Sequence, residues 1–121
     1  MSVSIHPTAI VDPKAVLGIN VEIGPFSIVG GNVQLGDGVR LRSHVVIEGR
    51  TIVGARSEIY PFAVLGCPPQ HKRYQGEPSV LEIGTNNVIR EHVTMHPGTA
   101  IDAMKTTVGD NGLFLAATHV A

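Results

Sequence analysis

The side chains best suited to chemistry in this sequence are histidines and the polar residues near them. His96 and His119 each adjoin an apolar residue late in the chain, while Gln70, His71 and Arg73 follow one another closely in a polar stretch. Imidazoles and cations that gather at one edge of a fold suit an anionic ligand and proton transfer near neutral pH. The alternative is that His96 and His119 are ordinary turn histidines bonded to nearby carbonyl groups.

Composition and charge exclude several classes of protein. The 121 residues include nine Lys and Arg, ten Asp and Glu, and one Cys, with a formal net charge of −1. This balance excludes a nucleic-acid binder held by bulk positive charge, and a single Cys excludes an intrachain disulfide framework. No apolar run approaches the roughly 18 residues that a membrane helix needs, and the N-terminus lacks signal-peptide features. The sequence therefore predicts one cytoplasmic domain without a membrane span.

A six-residue repeat indicates which elements must position these side chains. Every sixth residue from Ile5 is Ile, Val or Leu, in the series Ile5, Val11, Leu17, Ile23, Val29, Leu35, Leu41, Ile47, Val53, Ile59 and Leu65. A second series, of small or β-branched residues, lies two positions earlier, from Val3 to Ala63. A period of six fits neither a helix nor a hairpin meander.

The repeat predicts an all-β fold, a single-stranded left-handed parallel β-helix. Each hexapeptide would form one short strand and one corner, and three of them would form a triangular coil of 18 residues. Both series would point inward, and successive coils would stack at strand spacing, about 4.8 Å. Gly follows the aliphatic series at several positions, where we expect it to permit a corner with positive φ. A β-sandwich is the weaker alternative, because its strands usually recur every 8–12 residues.

Two interruptions of the repeat predict external loops, at 67–80 and 97–107. The repeat resumes with apolar residues at Ile83, Ile89, Met95, Val108, Phe114 and Val120. With both loops set aside, Met95 stacks on Leu65 and Val120 stacks on Met95. Both loops then leave from one edge of the prism, where loop residues commonly carry function. This edge, with His96 and His119, is the candidate site.

Other polar residues receive structural interpretations. His6 and His44 are expected to project outward, where a solvated face is a more common surrounding for such residues than the alternative, a subunit interface. Arg90 and Glu91 are expected to form a structural ion pair rather than a catalytic one.

Several motifs resemble those of bacterial hexapeptide-repeat acyltransferases. They lie at 5–11 (IHPTAIV), 23–26 (IGPF) and 43–46 (SHVV). Three further motifs narrow the resemblance to the UDP-N-acetylglucosamine O-acyltransferase family, which acts at the start of lipid A biosynthesis. These lie at 70–78 (QHKRYQGEP), 89–99 (IREHVTMHPGT) and 118–121 (THVA).

The resemblance implies a reaction, partners and an assembly. A 3-hydroxyacyl group would pass from acyl carrier protein to the 3-hydroxyl of UDP-N-acetylglucosamine, without a cofactor or a covalent intermediate. A histidine would act as general base and backbone donors would stabilise the oxyanion. The resemblance also implies a homotrimer with sites between neighbouring prisms.

The resemblance also assigns individual residues. Gln70, His71 and Arg73 match positions near the nucleotide sugar, although His71 and Arg73 replace the family's usual Asp and Lys. His96 matches a substrate-pocket histidine, and His119 matches a histidine that supports catalysis.

The family's general base comes three residues after the position of His119. Residues 1–121 are therefore expected to be a truncated β-helix domain, without the later coils and the C-terminal helical domain of the family, and inactive alone.

Two other functions remain open at this point. A metal enzyme resembling the hexapeptide-type carbonic anhydrases would use His92 and His96, but their spacing across a corner does not place both rings on one face, and a third ligand is not evident. The second open function is that of a non-catalytic β-helix scaffold.

Overall fold

The computed structural model of the chain describes residues 3–66, 80–95, 105–116 and 119–120. Within these ranges the regular structure is entirely short β-strand. In chain order the strands are β1 (Ser4–Ile5), β2 (Ile10–Val11), β3 (Val16–Leu17), β4 (Glu22–Ile23), β5 (Ile28–Val29), β6 (Val33–Leu35), β7 (Arg40–Leu41), β8 (Val46–Ile47), β9 (Arg50–Val53), β10 (Glu58–Ile59), β11 (Val64–Leu65), β12 (Val80–Ile83), β13 (Val88–Ile89), β14 (Thr94–Met95), β15 (Lys105–Val108), β16 (Leu113–Phe114) and β17 (His119–Val120).

The strands form three parallel sheets, which are the three faces of a left-handed β-helix. Face 1 contains β1, β4, β7, β10, β13 and β16. Face 2 contains β2, β5, β8, β11, β14 and β17, and face 3 contains β3, β6, β9, β12 and β15. Each strand pairs with the strand that comes three strands later in the chain, and the register is the same from coil to coil. Ile23 therefore lies beside Leu41, and Leu41 lies beside Ile59. The predicted fold class is confirmed.

The interior of the prism contains the two predicted inward series. Val21, Ile47, Ile59, Leu65 and Met95 are each 0% exposed, as the aliphatic and small-residue periods require. The first coil differs, because Val3 and Ile5 are 40% and 43% exposed. Strand β1 is an edge strand of face 1 and pairs only with β4 among the described strands, so one side of this coil is uncovered.

One inward position carries a polar side chain that the structure satisfies in full. Asn87 is buried at 0% exposure, and its Nδ2 donates to the carbonyl oxygens of Gly84 at 3.0 Å and Gly109 at 2.8 Å. Its Oδ1 accepts a hydrogen bond from the backbone N–H of Gly112 at 2.7 Å. The amide thus ties two successive coils together at one edge of the prism.

Replacing this amide should destabilise the chain. We expect Asn87→Ala to lower the free energy of unfolding by about 2 kcal/mol, because the N–H of Gly112 and the carbonyl oxygen of Gly109 lose their side-chain partner, and the carbonyl oxygen of Gly84 keeps only the hydroxyl of Ser57. Urea titration followed by circular dichroism measures the change. Asn32→Ala, at an exposed turn, is the control and should alter stability by less than about 0.5 kcal/mol. Equal stability of the two variants would contradict this role for Asn87.

The expected reason for the glycines is wrong at several corners. Gly24 follows an inward aliphatic residue but does not have positive φ. A Cβ at Gly24 would instead overlap the carbonyl oxygen of Arg42 in the next coil. The glycine is required by the close approach of two coils. At a second site, Gly66, φ is +83° and an added Cβ would also overlap the carbonyl oxygen of Glu48. Positive φ and the close approach of the backbone therefore both require glycine there.

The structure shortens the predicted loops. Strand β12 begins at Val80 and β15 begins at Lys105, so that the last residues of 67–80 and of 97–107 belong to face 3. Strand β12 pairs with β9 and strand β15 pairs with β12, each over four residues. The rest of both predicted loops lies outside the described residues. In the described ranges, no helix has the length and hydrophobicity to cross a membrane.

Candidate functional site

The candidate site lies at the edge between face 2 and face 3. The described chain leaves face 2 after Gly66 and after Met95, and it re-enters face 3 at Val80 and Lys105, which pair with each other. Leu65, Met95 and Val120 are successive partners on face 2. The predicted stacking of these three residues is therefore confirmed, and both interruptions fall at one edge.

A hydrogen-bonded threonine and histidine lie beside this edge. Thr94 and His119 are register partners on β14 and β17, one residue before the inward Met95 and Val120. Because side chains alternate along a strand, both point out of the prism. Thr94 Oγ1 and His119 Nδ1 are 2.7 Å apart, and the direction of the bond follows the histidine tautomer.

This contact determines what His119 can do chemically. The hydroxyl of Thr94 is hydrogen-bonded to one ring nitrogen and restrains the orientation of an imidazole that is exposed to solvent. An imidazole oriented in this way can hydrogen-bond a polar ligand. Thr94 is not among the residues that the sequence predicts for the site. The register of the repeat could have identified Thr94, because this residue lies one coil before His119 at the equivalent position.

The structure places only one of the predicted site residues. His119 is at the expected edge, whereas Gln70, His71, Arg73 and His96 lie outside the described residues, so the assembly of the full site stays a prediction.

A groove of the described chain lies on face 1, away from Thr94 and His119. It has a volume of about 690 Å³ and is lined in part by Arg42, Tyr60 and Glu91. The guanidinium groups of Arg42 and Arg90 lie over the ring of Tyr60, 5.1 and 4.5 Å from its centroid.

The charges of this groove are paired. Arg42 contacts Glu58 at 2.5 Å, and Arg90 contacts Glu91 at 2.9 Å, which confirms the predicted ion pair. The hydrogen bond donated by Arg90 lowers the pKa of Glu91 below its usual value. Because acids and bases are matched, the groove presents no excess charge to an anionic substrate, and we assign the site to the other edge.

The described residues contain no group of three or more His, Cys, Asp or Glu side chains arranged to hold a metal ion. His92 and His44 contact aromatic rings instead: His44 lies 5.1 Å from Phe26 and 5.0 Å from Phe62, and His92 lies 5.3 Å from Phe62. His6 is exposed, as predicted, and its Nδ1 lies 2.9 Å from Thr8 Oγ1.

Comparison with known proteins identifies the same repeat and the same relatives. Residues 14–49 match the family model of the bacterial transferase hexapeptide (six repeats). The chain is 52% identical over 117 residues to the acyl-[acyl-carrier-protein]–UDP-N-acetylglucosamine O-acyltransferase of Azorhizobium caulinodans, covering 97% of this chain and 43% of that protein. The corresponding protein of Mesorhizobium japonicum is 49% identical over 118 residues, covering 98% of this chain and 42% of that protein.

Solved structures agree with this relationship. A crystal structure of a UDP-N-acetylglucosamine acyltransferase superposes with a TM-score of 0.96 at 47% identity, covering 98% of this chain and 46% of that chain. The chain spans less than half the length of the curated relatives it matches. On its repeat, its coil geometry and its sequence identity over nearly its whole length, the chain belongs to the UDP-N-acetylglucosamine O-acyltransferase family of hexapeptide-repeat proteins.

Proposed function

We propose that this chain takes part in the transfer of a 3-hydroxyacyl group from acyl carrier protein to UDP-N-acetylglucosamine. The observation that carries the proposal is the Thr94–His119 pair at the edge where the repeat is interrupted twice, in a chain whose relatives are named for this reaction. The sugar 3-hydroxyl attacks the thioester carbonyl, an ester bond forms, and the carrier leaves as its thiol. The chain acts in the cytoplasm as a homotrimer, with active sites between prisms.

The residues of the site have different roles in this reaction. His119 supports catalysis by hydrogen-bonding the bound substrates, and Thr94 is a positioning residue that acts through its imidazole. Gln70, His71 and Arg73 contact the nucleotide sugar, where a guanidinium suits the negative charge of a diphosphate. His96 completes the substrate pocket.

Binding of UDP-N-acetylglucosamine tests this proposal without requiring turnover. We expect saturable binding by the 121-residue chain in isothermal titration calorimetry. His119→Ala should weaken it by about 10-fold or more, the effect of losing a hydrogen bond to a charged group. Thr94→Val should weaken it by about 2–10-fold, because the imidazole loses its orienting partner but stays present.

A second threonine–histidine pair provides the matched control. His6 and Thr8 make a similar contact, Nδ1 to Oγ1 at 2.9 Å, in the first coil. His6→Ala and Thr8→Val should leave the affinity unchanged within error. The proposal is overturned by the absence of binding to the wild-type chain, or by equal losses in the two pairs of variants.

A further inference from the structure

The sequence contains a single Asn–Gly dipeptide, formed by Asn111 and Gly112. In such a pair the backbone nitrogen of the glycine can attack the side-chain carbonyl carbon of the asparagine, because glycine has no Cβ that hinders the approach. Asparagine is for this reason a chemically labile residue type. The other asparagines of the chain precede Val or Asn.

The corner between face 3 and face 1 requires both residues of this dipeptide. Asn111 has φ of +60°, in the left-handed region that Asn and Gly tolerate best. At Gly112 an added Cβ would lie 2.7 Å from Asn87 Oδ1 and 2.9 Å from the ring of Phe114, so a larger residue would displace them. The packing of two coils therefore imposes a labile dipeptide at this corner.

Three hydrogen bonds hold the dipeptide against the preceding coil. The N–H of Asn111 donates to the carbonyl oxygen of Thr85 at 2.9 Å, and the N–H of Val88 donates to the carbonyl oxygen of Gly112 at 2.9 Å. The third is donated by the N–H of Gly112 to Asn87 Oδ1 at 2.7 Å. The nitrogen in this third bond is the one that has to attack Asn111.

The bond between Gly112 and Asn87 opposes the attack in two ways. The nitrogen has to lose its proton to water or hydroxide, and Asn87, which is 0% exposed, holds that proton toward the interior. The peptide group also has to rotate toward the side chain of Asn111, which is exposed to solvent. The reaction therefore requires a local opening that breaks this hydrogen bond, as the exchange of a protected amide hydrogen does.

We propose that Asn111 is a site of spontaneous deamidation and that the buried amide of Asn87 suppresses the reaction. The nitrogen of Gly112 forms a bond to Cγ of Asn111, and the side-chain amide leaves as ammonia with the proton from that nitrogen. Water then opens the resulting succinimide ring at either of its carbonyl carbons, which leaves aspartate or isoaspartate at position 111. Water is the only co-reactant.

The position of Asn111 links this reaction to the candidate site. Isoaspartate lengthens the backbone by one methylene group, and both products add a negative charge. Asn111 precedes β16 and β17, and β17 carries His119. Because β16 and β17 pair in register with β13 and β14, an extra backbone atom at the corner would displace them. Asn87 thus protects the coil that carries His119.

Mass spectrometry of a tryptic digest measures the reaction. Lys105 is the last Lys or Arg, so trypsin releases residues 106–121 as one peptide, in which Asn111 is the only Asn or Gln. In mildly alkaline buffer, we expect Asn111 of the folded chain to deamidate at least about 10-fold more slowly than that of the chain unfolded in guanidinium chloride. Equal rates in the two states would show that the fold gives no protection, and the proposal would be wrong.

Two substitutions at position 87 test whether its amide is the protecting group. Asn87→Ala should accelerate deamidation of the folded chain by about 10-fold, because the hydrogen bond no longer has to be broken. Asn87→Ser should give an intermediate rate, since a hydroxyl at this position still reaches the next coil. One coil earlier, Ser57 Oγ accepts the N–H of Asn87 at 3.2 Å.

The serine variant also covers the case in which Asn87→Ala does not fold, because the equivalent position of the preceding coil already carries serine. Circular dichroism establishes that each variant is folded before incubation. A wild-type rate in the folded variants of Asn87 would contradict its protecting role.

Thr51→Ala is the matched control for a general loss of stability. Thr51 is also a buried polar residue at an inward position, and its hydroxyl donates to the carbonyl oxygen of Glu48 at 2.8 Å. Its replacement leaves the bond between Asn87 and Gly112 in place, so the rate at Asn111 should stay within about 2-fold of wild type. Equal acceleration by Thr51→Ala and Asn87→Ala would mean that deamidation follows global unfolding, which would overturn the proposal. Because the rates are measured without ligand, this result is separate from a failure of UDP-N-acetylglucosamine binding.

Discussion

Leu41→Ala is expected to lower the free energy of unfolding by about 4 kcal/mol. Leu41 is 2% exposed, and its strand β7 lies between β4 and β10 on face 1. Truncation removes buried methyl groups and leaves a cavity that the stacked coils above and below cannot fill, since their backbones are held by parallel pairing. Equilibrium urea unfolding at fixed protein concentration measures the loss.

Leu113 provides the matched control, because it is also a leucine on face 1 but is 62% exposed. Leu113→Ala should change the free energy of unfolding by less than about 0.5 kcal/mol. If the two variants lost the same stability, the interior would not be the packed prism that the six-residue repeat predicts.

Gly24→Ala is expected to lower the free energy of unfolding by more than about 3 kcal/mol. The added methyl group would overlap the carbonyl oxygen of Arg42, which belongs to the backbone of the next coil. Gly24 also donates its N–H to the carbonyl oxygen of Leu41 at 2.9 Å. Relief of the overlap therefore requires two coils to separate where they are hydrogen-bonded.

The same substitution at Gly109 distinguishes crowding from a general effect of losing glycine. Nothing lies within 4 Å of a Cβ built there. Gly109→Ala should leave stability unchanged or raise it by about 0.5 kcal/mol, because it restricts the unfolded chain. Thermal unfolding of both variants decides the matter, and a tolerated Gly24→Ala would contradict the close approach of the coils.

The arrangement of strands is predictable from the sequence because the same six-residue pattern recurs along the chain. The step from Leu65 through Ile83 and Ile89 to Met95 predicted the coil correctly, since the inward position of each hexapeptide carries an apolar side chain. Counting residues in this way also placed His119 at its edge. A periodic fold makes register predictable, because each coil is constrained by its neighbours.

Features that depend on contacts between coils were harder to predict. The reason for Gly24 is a carbonyl group 18 residues away, which a local rule about φ does not include. His44 is exposed to solvent as predicted, but its ring also lies between two phenylalanines from neighbouring coils, a contact that the sequence did not indicate. Thr94 was overlooked because its importance comes from its partner, His119. In each case the role of the residue depends on its contacts with a neighbouring coil, and the sequence of a single hexapeptide does not show these contacts.

The most direct test of the account is whether His119 senses UDP-N-acetylglucosamine. The imidazole resonances of the six histidines can be followed by NMR during a titration with this compound, after assignment by single His→Ala variants. We predict a saturable shift of the His119 resonances, which Thr94→Val reduces, with no change at His6 in the first coil. An unchanged His119 signal at saturating ligand, or equal shifts at His6 and His119, would contradict the proposed site.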